Sequence, residues 1–385
     1  MSGVEAQLKA KLAELIAQPS VSSVNPAFDM SNSTVTDTLS NWFEEAGFAV
    51  LQQTVAEEPA KFNMLARAGR GDRGLVFAGH TDTVPYDANG WATDPFELVE
   101  REGRWFGLGS ADMKCFFPLI LSALDGFDLS RLKRSLIVLA TADEESTMNG
   151  ARVLVQSGEE MGAYALIGEP TDLIPINKHK GILIGRVEVT GRSGHSSNPA
   201  LGANALDGMH DIITGFKAWR EEAAVRYPDG DFEVACPTLN LGGISGGDSP
   251  NRICASCDLL FDVRLMPGMD VDATAAELRE IVDAEVAGSR LGAKMILPMR
   301  PLPPMLTPAD SAIVRAVEEL SGMPAATVAF ATEGPFLNAL GCDTVVFGPG
   351  NIDTAHQPNE WVAVDKMLRM RGILRTLIER FCCDD

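Results

Sequence analysis

Five histidines are spread over 385 residues, and two of them, His80 and His356, stand where acids could join them. His80 opens His80-Thr81-Asp82 directly after the apolar run 74–78, and His356 lies in the loop after Thr344-Val345-Val346-Phe347. Asp143-Glu144-Glu145 follows the apolar run 135–140 in the same way, and Glu169 follows the run 163–167. Apolar runs that each end in a metal-ligand type of residue predict one site beyond the carboxyl ends of the strands of an open α/β sheet. Asp112 adds a fifth such group, in a loop ahead of an apolar helix, although alone it reads more simply as a helix N-cap.

Two imidazoles and three carboxylates, without a His-Glu-x-x-His helix, suit a pair of divalent ions that share a bridging carboxylate. Mixed nitrogen and oxygen ligands favour zinc, and open coordination positions favour catalysis. Two ions about 4 Å apart lower the pKa of a shared water and polarise a carbonyl oxygen. Neighbouring carboxylates do not readily bind one ion together. Of Glu144 and Glu145, one can therefore coordinate while the other takes the water's proton and delivers it to a leaving amine.

The elements that must hold these groups follow from hydrophobic patterning. Residues 74–168 alternate short apolar runs with helix-like stretches at 113–127 and 150–157, which predicts a parallel sheet flanked by helices. The pattern changes near Gly181: a strand over 182–190, a helix over 203–224, two strands flanking Gly246-Gly247, a helix over 273–286 and a strand over 294–297. That βαββαβ order predicts a four-stranded antiparallel sheet with two helices, a ferredoxin-like α+β domain. After the turn-rich Pro301-Leu302-Pro303-Pro304, the α/β pattern resumes at 313–321, 344–347 and 364–381. The expectation is an α/β catalytic domain with a mostly parallel sheet, discontinuous over 1–180 and 299–385, interrupted by the inserted domain 181–298.

Composition narrows the partners. With 45% hydrophobic and 22% charged residues the chain is neither disordered nor a coiled coil. Its 32 basic against 53 acidic residues leave a net charge of −21, which repels nucleic-acid phosphates and anionic lipid. The longest apolar stretch, 116–124, is half a membrane span, and the N-terminus carries no apolar leader, so neither membrane nor export is expected. Seven cysteines, an odd number, favour reduced thiols and the cytoplasm. Gly243-Ile244-Ser245-Gly246-Gly247 matches a nucleophile elbow but lacks the following helix. Cys254-Ala255-Ser256-Cys257 is expected to be structural, and Cys382-Cys383 to be incidental thiols near a frayed end.

Several stretches resemble one family. These are Leu75-Val76-Phe77-Ala78-Gly79-His80-Thr81-Asp82, Gly107-Leu108-Gly109-Ser110-Ala111-Asp112-Met113-Lys114, Ala142-Asp143-Glu144-Glu145, Ile167-Gly168-Glu169-Pro170-Thr171 and Ser193-Gly194-His195-Ser196-Ser197. They resemble the motifs of the aminoacylase/carboxypeptidase group of dinuclear zinc amidohydrolases, over nearly the whole chain. Lys61-Phe62-Asn63-Met64-Leu65, Pro237-Thr238-Leu239-Asn240, Thr332-Glu333-Gly334-Pro335-Phe336 and Ala355-His356-Gln357-Pro358-Asn359-Glu360 narrow it further. The branch they point to releases acetate from N2-acetyl-L-ornithine, in arginine biosynthesis. Succinyl-diaminopimelate desuccinylase, aminoacylase and dipeptidase chemistry on the same scaffold stay as alternatives, as does a non-catalytic metal-binding homologue.

The resemblance implies two divalent ions, zinc first with cobalt or manganese as substitutes, and a homodimer acting on a small N-acyl amino acid. Asp112 would bridge the ions, His80 and Glu169 would hold one, and Glu145 and His356 the other. Glu144 would be the general base for attack by a metal-activated water, Asp82 would orient His80, and His195, in a lid and dimerisation domain, would donate to the developing oxyanion. Cys115 departs from the glycine usual after Asp-Met-Lys. Arg252, with Asn251, sits in a strand-like segment and suits a clamp on the substrate's α-carboxylate, since a guanidinium fork matches a carboxylate. Lys180 has a similar but weaker claim, and Glu333 could meet a cationic end of the substrate.

Overall fold

The computed structural model describes residues 3–71 and 73–383. Met1 and Ser2 of the N-terminal segment lie outside them. The chain divides into two compact units: Met1–Asn177, Thr307–Ala326 and Thr332–Asp385 form the first, and Lys178–Leu306 with Thr327–Ala331 the second.

The first unit is built on a mixed sheet whose centre is parallel. Leu75–His80 lies between Leu136–Thr141 and Tyr164–Ile167, parallel to both, and Asp343–Val346 continues the parallel run beside Tyr164–Ile167. Towards one edge, Ala60–Ala68 and Ala49–Glu57 add antiparallel strands. Every residue of Leu75–His80 and Leu136–Thr141 is buried. Burial on both faces is why these runs read as continuously apolar instead of alternating. The core gathers Leu8, Leu12 and Leu15 of Gly3–Ile16, the apolar face of Phe116–Leu124, and Met367, Met370, Leu374 and Leu377 of Val364–Ile378. The α/β class expected from patterning is what the chain adopts.

Two expectations need correction here. The helix expected over 113–127 spans Phe116–Leu124. Pro118 explains the late start: it has no N–H to donate, so it is tolerated within a first turn but would break the ladder of a helix begun at Met113. Cys382, expected at a frayed end, is fully buried in the first unit's core. All seven cysteines are free thiols.

The second unit has the order strand Gly181–Thr190, helix Ala205–Arg226, strands Thr238–Gly246 and Ser256–Leu265, helix Val271–Val286 and strand Gly292–Ile296. The strands form one four-stranded antiparallel sheet. Gly181–Thr190 alternates, burying Leu183, Val187 and Val189 against the helices while Ile184, Arg186 and Thr190 face outward. Both helices begin at side-chain caps: Asn204 accepts from Leu206 N and Asp270 from Ala273 N, filling main-chain donors that a first turn leaves open. No described helix of either unit is long and apolar enough to cross a membrane.

Candidate metal centre

Parallel register sets the chemical groups level with one another. His80 pairs with Thr141 and Ala78 with Ile167, so Glu169 stands at the height of His80, and Asp143-Glu144-Glu145 lies just past Thr141. Gly79 and Gly168 precede two of these groups where a side chain would have to displace its neighbours. A Cβ on Gly79 would lie 2.5 Å from Met113 Cε, and one on Gly168 would lie 2.2 Å from the Phe116 ring. Met113 and Phe116 follow Asp112, so the residues that fill these spaces also bring its loop over the strand ends.

The result converges on one carboxylate. His80 Nε2 lies 3.0 Å from Asp112 Oδ1, and His356 Nε2 lies 3.3 Å from Asp112 Oδ2. His356 Nε2 is also 3.0 Å from Glu145 Oε1, and His80 Nε2 is 3.7 Å from Glu169 Oε1. Two groups have ligand atoms mutually within 4.8 Å, as a metal ion needs: His80, Glu144 and Glu169, and His80, Asp112 and Glu145. Glu169 Oε1 is buried without a hydrogen-bond partner among the described residues, and so is Asp82 Oδ1. An orphaned carboxylate oxygen facing an imidazole is expensive to bury, and a divalent cation would satisfy it. The donor set of imidazole and carboxylate fits such ions.

The electrostatics have the same origin. Burial pushes the Glu144 and Glu169 carboxyls well above their usual range, with Glu145 and Asp112 respectively adding repulsion. Glu145 is raised by burial and by Asp112. Burial also acts to raise Asp112, but hydrogen bonds from His356 and His80 outweigh it and hold this carboxyl well below the usual range. In return, the bonds to Asp112 and Glu145 lift His356 to about 10. His80 is raised well above its ordinary value although burial opposes it, because Asp112, Glu169 and Asp82 favour the imidazolium.

Asp82 meets His80 in an unexpected way. His80 Nδ1 lies 3.0 Å from the main-chain oxygen of Asp82, while the Asp82 carboxylate accepts the Glu145 N–H at 3.0 Å. Its side chain thus braces the loop of Glu144 and Glu145, and its main chain orients the imidazole.

Several residues given no role from sequence hold this centre. Lys61 is buried, with its ammonium 2.8 Å from Asp29 and 2.9 Å from Asp143. Asn63 accepts from Ala142 N and donates to Gly150 O, so the strand Ala60–Ala68 grips both ends of the turn carrying Glu144. Asp143 itself has φ 59°, a left-handed conformation that an Asp tolerates better than most side chains. Lys114 donates to the main-chain oxygens of Leu15 and Gln18, and burial lowers it to about 7. Glu360 accepts from the main chain next to Asp112. For Lys61 and Lys114 the signal was a charge set among apolar residues, as in Lys61-Phe62-Asn63-Met64-Leu65. Cys115, the departure noted above, is buried beside this loop and its thiol is pushed far up by burial.

Glu333, expected in a loop facing substrate, is buried in the first unit, where its carboxyl accepts from Thr141 Oγ1 at 2.7 Å and burial raises it to about 7. His195, Asn251, Arg252 and Lys180 belong to the second unit. His195 Nδ1 lies 2.7 Å from Ser197 Oγ, and the main chains of His195 and Arg252 form an isolated bridge. Arg252 is on a loop and not, as expected, in a strand, because the two neighbouring strands end at Gly246 and begin at Ser256. Its guanidinium is exposed, 2.9 Å from Asp248 and 3.3 Å from Ser193 Oγ. Asn251 accepts from Ser249 Oγ. Lys180 is not an open clamp: its buried ammonium donates to the main-chain oxygens of Val234 and Cys236 and lies over the Phe232 ring.

The model of the peptidase family M20/M25/M40 matches residues 76–380. Acetylornithine deacetylase of Proteus mirabilis (strain HI4320) is 44% identical over 372 residues, 96% of this chain and 95% of that protein. The Vibrio campbellii (strain ATCC BAA-1116) protein of the same name is 43% identical over 370 residues, covering 96% and 97%. Among solved structures, a tripeptidase from Staphylococcus aureus subsp. aureus Mu50 superposes with TM-score 0.76 at 18% identity, covering 98% of each chain. The Bacillus subtilis YXEP protein, a dinuclear metal binding peptidase from the M20 family, gives TM-score 0.66 at 14% identity, over 97% of this chain and 98% of that one.

Proposed function

Because this chain belongs to the peptidase family M20/M25/M40, we propose that it is the metal-dependent hydrolase that releases acetate and L-ornithine from N2-acetyl-L-ornithine. The observation that carries the chemistry is the meeting of His80 and His356, from opposite ends of the chain, on the single carboxylate of Asp112. Full-length identity to deacetylases of that name supports the substrate.

In this reading His80 and Glu169 would hold one divalent ion, Glu145 and His356 a second, and Asp112 would serve both. Bound there, the ions supply an acidified water and a polarised carbonyl. Glu144 has no coordinating duty: it takes the proton of the attacking water and hands it to the departing ornithine nitrogen. Burial raises its carboxyl in the metal-free chain, the direction that favours taking up a proton. Burial of His80, Asp112 and Glu169 removes water that would weaken each of these interactions.

Zinc is the first choice of ion, with cobalt or manganese able to substitute. His195 is assigned to the oxyanion and Arg252 with Asn251 to the substrate's α-carboxylate, on the chemistry of the groups alone; Glu333, enclosed in the core and bonded to Thr141, is given no substrate contact. The same reading makes the protein a cytoplasmic homodimer of arginine biosynthesis that binds neither nucleic acid nor membrane, in keeping with a net charge of −21.

Acetate release from N2-acetyl-L-ornithine, assayed after chelation and again during stepwise return of zinc, tests the whole reading. Loss of activity on chelation and its return with about two ions per chain are expected. Faster turnover of succinyl-diaminopimelate or of dipeptides in parallel assays would transfer the enzyme to a neighbouring specificity.

A further inference from the structure

The loop that ends in Asp112 has an anchor of its own. The carboxylate of Glu360, itself 2% exposed, accepts three main-chain N–H groups of that loop: Ala111 at 2.7 Å and Asp112 at 2.9 Å on Oε1, and Gly109 at 3.1 Å on Oε2. The main-chain oxygen of Glu360 accepts a fourth, from Gly107 at 3.0 Å. No side-chain cation is hydrogen-bonded to this carboxylate among the described residues. It is committed to holding backbone.

Its own place is fixed from both sides. Trp361–Ala363, the strand that Glu360 precedes, pairs with Arg104–Phe106, the strand that leads into the Asp112 loop. Upstream, Asn359 Oδ1 accepts from Ala92 N and its Nδ2 donates to Gly90 O. His356 belongs to the same segment as Glu360, so one stretch of chain carries one candidate ligand and the brace of another. A carboxylate buried against three N–H donors is a stiff joint, because any displacement strips hydrogen bonds that no water can replace.

We propose that Glu360 is a positioning residue that locks the Gly109–Asp112 main chain, so that the Asp112 carboxylate is held between His80 and His356 and the chain's affinity for two divalent ions depends on it. The inference rests on the two-ion reading of the site. Glu360 touches neither ion nor substrate. It acts by removing the freedom that Asp112 would otherwise lose on binding, as groups behind metal ligands generally do.

Glu360→Gln is the sharpest test, since it keeps shape and volume but turns an amide N–H towards a main-chain N–H. Zinc titration by calorimetry on the metal-free full chain is expected to show the tighter-held pair weakened about 10- to 100-fold. Hydrogen exchange at residues 107–113 should speed up, and the absorption bands of the cobalt-loaded protein should shift. Glu360→Asp, which keeps the carboxyl group but shortens the reach, should lie between wild type and Gln, and it carries the test if the Gln variant does not fold. Val362→Ala serves as control: it removes a residue 1% exposed in the adjoining strand and should lower thermal stability while leaving zinc affinity within about threefold. Wild type that binds no pair of ions would sink the two-ion reading itself. Wild type that binds two, with Glu360→Gln binding two as tightly, would sink the role of Glu360 alone, as would an equal loss in Val362→Ala.

Discussion

Each of the two units of this chain has an apolar core of its own, but they treat charge in opposite ways. In the first, His80, Asp82, Asp112, Glu169, Glu333, Glu360, Lys61 and Lys114 are all buried. In the second, His179 and Lys180 are the only such acids and bases buried among the described residues, and the other charges pair at the surface, as in Arg226 with Glu277 and Arg186 with Asp258. Apolar packing is therefore not what distinguishes them. Burying an ion costs several kcal/mol unless partners repay it, so a unit that buries a cluster of acids and imidazoles keeps it for chemistry. The second unit carries its candidate groups, His195, Asn251 and Arg252, at the surface, where charge is cheap to place and easy to move.

That contrast can be attacked from either side. The largest effect expected is in the first unit: Glu144→Gln should lower turnover on acetylornithine about 10²- to 10⁴-fold. Metal content, read by atomic absorption, should stay unchanged, and a Gln variant with full turnover would remove Glu144 as the base. In the second unit, Phe216→Ala empties a fully buried site against Phe261 and should reduce stability to denaturant by about 3–5 kcal/mol. Metal uptake per folded chain should not change, and a parallel fall in uptake would contradict the division between the units.

A smaller effect concerns protons. His356 is held at about 10 in the metal-free chain, so it carries its proton at neutral pH, and His80 is raised in the same direction. Ions must displace those protons, and affinity should rise with pH through neutrality. Calorimetry in buffers of different ionisation enthalpy reads the release directly, and uptake without it would overturn the electrostatic account. The smallest effect is the mirror case in the second unit. Burial depresses His179 to about 4 from 6.5, so the unfolded chain binds that proton more tightly than the folded one. Its contribution is intact above about 6.5 and is lost as the pH falls towards 4, and His179→Gln should flatten the stability profile there. An unchanged slope would show that His179 does not titrate in this way.

Much of the fold was legible because its signals are local. The buried strands at Leu75–His80 and Leu136–Thr141 read as apolar runs, and the alternation of Gly181–Thr190 read as a half-covered strand. What escaped was decided by partners far along the chain. Ala49–Glu57, partly exposed along its length, lacked a clear period, and Glu333 looked like an ordinary loop acid until Thr141 and the core enclosed it. Lys61 and Glu360 were visible as residues, but their partners, Asp143 and the Asp112 main chain, are remote in sequence.

The sequence by itself determined which chemistry was available: imidazoles and acids placed just past apolar strands, two adjacent carboxylates at Glu144 and Glu145, and a net charge of −21. Those are matters of residue type and short spacing. Tertiary structure alone decided that His80 and His356 share Asp112, that the Asp82 carboxylate serves Glu145 while its main chain serves His80, and that Lys180 is engaged within its own unit. Each of those is a choice among competing hydrogen-bond partners brought together by strand register and loop path. A residue's type sets what it can bond, but only its neighbours in space determine which bond forms.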